Sequence, residues 1–122
     1  MLAEPDRFLP HIHAWLSALS RQEWGVAIAL LDEPNSYRIV WSEREIRAAI
    51  NDFFPASCWE MTDPQDMSTP ARVNAGEFPD GSGYWVACSI AIHGRWSDLT
   101  AQFEFIRRPH GYDRILQDIH VL

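Results

Sequence analysis

Leu99-Thr100-Ala101-Gln102-Phe103-Glu104-Phe105 alternates apolar and polar residues without a break, the period of a strand with one face in a core and the other toward water. Residues 84–93 read the same way. Tyr84, Val86, Cys88, Ile90 and Ile92 share one face, and Trp85, Ala87, Ser89, Ala91 and His93 share the other. A turn over residues 94–97 separates this strand from one over 98–107, in which Asp98 joins the polar face. Pro109-His110-Gly111 then leads into a third strand over 112–122. In that strand Ile115, Ile119 and Val121 are expected to oppose Arg114, Asp118 and His120. The short turns make all three antiparallel neighbours.

Upstream, the period changes from two to about 3.6. Ile12, Trp15, Leu16 and Leu19 form one apolar stripe of a helix starting near Leu9, with Pro10 tolerated in its first turn. Ser20-Arg21-Gln22-Glu23 has the spacing of a capping box, which predicts a second helix over 21–32 with Trp24, Ala27, Ile28 and Leu31 inward. Glu33-Pro34-Asn35 ends it. Tyr37-Arg38-Ile39-Val40-Trp41 is rich in β-formers and reads as a short strand. Ser42-Glu43-Arg44-Glu45 repeats the capping spacing before a third helix carrying Ile46, Ala49, Ile50 and Phe53, closed by Pro55. Cys58-Trp59-Glu60-Met61 and residues 71–75 read as brief strands, residues 62–70 as an exposed loop, and residues 76–83 as a turn. The expectation is a single α+β domain. N-terminal helices (about 9–54) cover one face of a curved, mainly antiparallel sheet (mainly 57–122).

The chain of 122 residues is long enough for one self-sufficient core. Its formal charge is −7, and all ten basic residues are arginine. A net anionic surface argues against nucleic acid and against an anionic membrane, and it suits a basic protein partner. Without lysine, Schiff-base chemistry and a phosphate-loop lysine are excluded. Cys58 and Cys88 form neither a metal-ligand pair nor a disulfide framework. The first ten residues carry no apolar leader, so a reduced, cytoplasmic protein without cofactor or metal is expected.

Candidate chemistry is sparse. His11 and His13, two apart on a helix, diverge by about 200° and cannot share an ion, so both read as solvated. Asp118 and His120 lie two apart on one strand face, where a carboxylate can orient an imidazole, and Asp98 is a third acidic group for such a site. On the apolar side, Trp15, Trp41, Trp59, Tyr84 and Cys88 are candidates for lining a small-molecule pocket, or else for filling the core. Cys88, mid-strand and apolar in setting, is expected to be an unreactive thiol. Gly76, Gly81 and Gly83 lack the following helix of a phosphate loop and read as turn residues. Trp85, Gln102, Asp118 and His120 together mark the outer face as a surface for another chain.

The order of elements resembles the nuclear transport factor 2-like (cystatin-like, SnoaL-like) superfamily. Ala18-Leu19-Ser20-Arg21-Gln22-Glu23-Trp24 looks like its break between the first two helices, and Ser42-Glu43-Arg44-Glu45-Ile46-Arg47-Ala48-Ala49-Ile50 like its third helix. The ending, residues 97–122, is similar to small bacterial proteins of this type. The resemblance implies a cone-shaped domain, a pocket between sheet and helices, and a homodimer formed through the outer sheet face. It admits isomerases, dehydratases, cyclases, immunity proteins and binding modules. The positions it places inside the cone are here mainly Val, Ile, Leu, Phe and Cys, which favours a non-catalytic binding domain, including the immunity type, over an enzyme.

Overall fold

The computed structural model describes residues 4–54 and 59–121. It is an α+β fold in which three helices pack on a curved, four-stranded antiparallel sheet. A 3-10 turn, Glu4–Phe8, runs into α1, Leu9–Ser20; α2 is Trp24–Ala29 and α3 is Glu43–Asn51. The strands β1 (Val73–Glu77), β2 (Gly83–Ile92), β3 (Arg95–Arg108) and β4 (Gly111–Val121) lie side by side in chain order. Pro55, Cys58 and the expected strand start around residue 58 lie outside the described residues. No described helix is long and apolar enough to cross a membrane.

The stripe expected for α1 is the floor of the core. Ile12, Trp15, Leu16 and Leu19 are all at most 2% exposed. Trp15 meets Phe103 edge-on, with ring centroids 5.1 Å apart. Phe8 stacks on Phe105 at 4.1 Å. Truncating either end of the Trp15–Phe103 contact to alanine removes about 3–5 kcal/mol. In α3, Ile46 and Ile50 are fully buried and Ser42 caps the helix by accepting from the Glu45 N–H at 3.3 Å. Phe53, expected on this stripe, falls beyond the helix and is 45% exposed.

Several expectations need correction. Ser20 is not an N-cap: it ends α1, and its Oγ donates to the Ser17 carbonyl at 2.7 Å. The chain turns through Gln22, whose φ is 59°, and Glu23 leads α2 without a side-chain cap. Arg21 is drawn away to Asp63, which also accepts from the Ser17 hydroxyl at 2.7 Å. With Ser17 and Asp63 buried, that cluster organises part of the expected 62–70 loop, where Pro64–Asp66 makes a 3-10 turn. The second helix consequently spans only six residues, of which Ala27 is buried. Residues 37–41 form no strand. The Asn35 side chain accepts from both the Tyr37 and Ile39 N–H groups at 2.9 Å, and Arg38 takes a φ of 64°.

Two irregularities bend the sheet, as inserted residues do. Between β2 and β3 the register shifts after Ser89↔Thr100, and the Ser97 hydroxyl fills the ladder by donating to the Ile90 carbonyl and accepting from the Leu99 N–H. Between β3 and β4, Gln102 pairs with Asp118 but Phe103 pairs with Leu116, so Gln117 has no partner. That one residue reverses the expected faces of the N-terminal half of β4. Leu116 and Arg114 join Phe103 and Phe105 on the helix side, and Ile115 goes outward opposite Glu104.

Gly83 tests the close packing of β2 on β3, because a Cβ there would run into the Phe105 carbonyl oxygen, whereas Gly81 has open space around it. Gly83→Ala is expected to lower stability by about 3 kcal/mol, and Gly81→Ala by about 1 kcal/mol from its positive φ alone. Denaturant midpoints measured in parallel check the difference; equal effects would contradict it.

Candidate functional site

The sheet has one face under the helices and one toward solvent, and beside an outer row of Gly83, Ile106 and Asp113 its register sets three more across the middle of that face. Gly76, Trp85, Glu104 and Ile115 form the first, Asn74, Ala87, Gln102 and Asp118 the second, and Ser89, Thr100 and His120 the third. Arg72 extends the third row, since its carbonyl accepts from the Ser89 N–H and its own N–H donates to the Ser89 hydroxyl. All four residues expected at an interface, Trp85, Gln102, Asp118 and His120, therefore share this face. Asp98 joins them at its edge.

The face is not flat. Ala87, Ser89 and Thr100 are 6%, 2% and 6% exposed, although no helix covers them; the longer side chains around them overhang. Small residues make the floor of a depression of about 150 Å³, and Arg72, Asn74 and Asp98 stand at its rim. Trp85 rises beside it, its indole laid so close over Gly76 that a Cβ there would meet the ring at 2.8 Å. A side chain at 76 would force the indole to shift, so the close fit rather than a turn accounts for this glycine.

Charge on this face is partly neutralised from within. Arg72 donates to Asp98 Oδ1 at 3.0 Å and to the Ser97 carbonyl at 3.2 Å. Asp118 Oδ2 stands 3.2 Å from His120 Nδ1, yet the pair is out of line for a hydrogen bond and Nδ1 is buried without one. Asp118 Oδ1 instead accepts from the Ile119 N–H at 2.8 Å. A carboxylate that orients a catalytic imidazole holds its N–H in line, so distance and alignment disagree here, and alignment decides what the pair can do. Glu104 has no cationic partner among the described residues.

On the helix side the expected pocket residues take different places. Trp15, Trp41, Tyr84 and Cys88 belong to the packed core. Trp41 donates its Nε1–H to the Leu116 carbonyl at 2.7 Å. Burial pushes the Cys88 thiol up to about 11, so it stays protonated and unreactive at neutral pH. Trp59 lies at the periphery, donating to Asn51 at 2.6 Å and lining a cleft of about 120 Å³ with Trp24 and Arg47. Packing accounts for the first four.

His11 is not a solvated surface histidine. Its Nε2 is 3.0 Å from the Leu30 carbonyl and its Nδ1 is 3.2 Å from Arg114, so it bridges the end of α2 to β4. Arg114 also holds Asp32 through contacts at 2.8 and 3.1 Å, and the Arg114 hydrogen bond keeps that carboxyl below its ordinary value. This cluster exists only because the Gln117 bulge turns Arg114 inward. No group of histidine, cysteine and acidic residues able to hold a metal occurs among the described residues.

No family model, curated protein or solved structure matches the chain significantly. Sequence alternation had marked Trp85, Gln102 and Glu104 as outward-facing, but Arg72 and the depression depend on cross-strand register.

Burial, and then the nearby Arg114 charge, hold His11 below its ordinary value of 6.5. The unfolded chain therefore takes up this proton first as pH falls, and the stability from neutral His11 is present above pH 6.5 and lost below it. His11→Gln should flatten the fall in stability between pH 7 and pH 5; an unchanged pH profile from denaturant titrations would contradict this placement.

Proposed function

We propose that this chain is a non-catalytic binding domain whose open sheet face receives a cationic segment of another protein. The observation that carries the reading is the pairing of Trp85 with Glu104, direct cross-strand neighbours in the first row of that face. An indole face attracts a guanidinium or ammonium group, and a carboxylate beside it accepts its hydrogen bonds. Asp118, exposed in the next row, extends the same preference, as does the formal charge of −7.

The immunity-type reading of the sequence is one form of this proposal, with a cationic toxin as the segment's source. The resemblance noted in the sequence would put a second copy of the chain on the same face. Like charges oppose that arrangement, since a second copy brings another net −7 against this face. Against a catalytic reading through Asp118, His120 and Asp98 stands the misalignment of the first pair.

Titration with an arginine-rich peptide and a glutamate-rich peptide of equal length tests the proposal. Binding of the first only, weakened by salt and reduced roughly three- to tenfold by Trp85→Ala or Glu104→Gln, is expected. Equal response to both peptides, or a sedimentation mass showing a dimer that Trp85→Ala disperses, would overturn it.

A further inference from the structure

Beside Trp85 the depression already holds a guanidinium at its rim. Arg72 reaches two acceptors there, Asp98 Oδ1 and the Ser97 carbonyl. Both partners of this pair are largely in solvent, with side chains 68% and 76% exposed. An ion pair so exposed contributes little to stability, so exchanging one partner for another is cheap. The backbone of Arg72, by contrast, is fixed to Ser89 through two hydrogen bonds, one of them to a hydroxyl that is almost wholly buried. The side chain can leave while the strand stays.

Neutral hydrogen-bonding groups surround the same acceptors. Asn74 and Thr100 line the depression, and the Thr100 hydroxyl donates to the Asp98 carbonyl, which holds the backbone under the acidic side chain. A planar head group entering the depression would meet a carboxylate and a backbone carbonyl already spaced for one guanidinium nitrogen. Arginine can place one nitrogen on that pair and keep its other N–H groups for Asn74 and Thr100, which the compact lysine ammonium spans less well.

We infer that Arg72 is an internal stand-in for an arginine of the bound partner, occupying Asp98 and Ser97 until that arginine displaces it into solvent. The inference rests on the reading of the open face as a site for a cationic segment, and it adds both the anchoring pocket and a built-in competitor. Binding then exchanges one arginine for another on Asp98.

The test measures the affinity of an arginine-rich peptide for wild-type protein and for Arg72→Gln, Arg44→Gln, Asp98→Asn and Glu104→Gln, with a lysine-rich peptide in parallel. Arg44, exposed on α3, controls for the loss of one positive charge. Removal of the competitor is expected to tighten arginine-peptide binding roughly two- to fivefold in Arg72→Gln and not in Arg44→Gln. Asp98→Asn should weaken it, and the lysine-rich peptide should gain less from Arg72→Gln. If Glu104→Gln weakens binding while Arg72→Gln leaves it unchanged or weaker, the stand-in role is wrong and the binding face survives. If no outer-face variant alters binding, both are wrong.

Discussion

One unpaired residue, Gln117, sets which way the last strand faces. Side chains alternate along a strand, so a single inserted residue turns everything before it to the opposite face. Here it sends Leu116 into the core and Arg114 to the helices, while Asp118 and His120 stay outside. The bulge is held by a segment far away in sequence. Asn35 Nδ2 donates to the Gln117 carbonyl at 2.9 Å, Ser36 donates to Gln117 Oε1 through its N–H and its hydroxyl, and the Trp41 indole N–H takes the Leu116 carbonyl. This edge of the sheet is therefore closed by side chains instead of a further strand, which also limits open-edge pairing with other chains.

The two faces of the sheet differ in kind as a result. Under the helices, aromatic and branched residues pack against one another, and His11 and Asp32 both engage Arg114. On the open side, small residues over the middle of β2 leave a depression, and the charged groups around it are matched loosely and near solvent. Each of those outer contacts is weak enough to be replaced, which is what the proposed binding of a cationic segment requires.

The strands from Gly83 onward and the α1 stripe were legible because local pattern and final environment agree. Leu99 to Phe105 alternate in the sequence, and Leu99, Ala101, Phe103 and Phe105 are the buried members of that run facing the helices. Elsewhere a distant partner outweighs a local preference. Ser20 has the spacing of a cap, but the turn after it is organised around Asp63, 42 residues from Arg21. Tyr37 to Trp41 have strand propensity, yet Asn35 curls that segment around its own side chain. The faces of β4 differ from the alternation for the same reason, since nothing in residues 111–121 announces where a bulge will fall. The candidate site was half visible: its outward aromatic and acidic residues follow from alternation, whereas Arg72 and Ser89 meet only through register.

The six tryptophans sample the molecule's separate environments, Trp15 and Trp41 in the core, Trp24 and Trp59 around Arg47, Trp96 near the 62–70 segment and Trp85 alone on the open face. Fluorine NMR of protein labelled with fluorotryptophan, titrated with the arginine-rich peptide, therefore reports which surface is used. The account predicts that the Trp85 resonance moves with saturation while those of Trp24, Trp59 and Trp96 stay in place. A titration that moves one of those three and leaves Trp85 unchanged would contradict it.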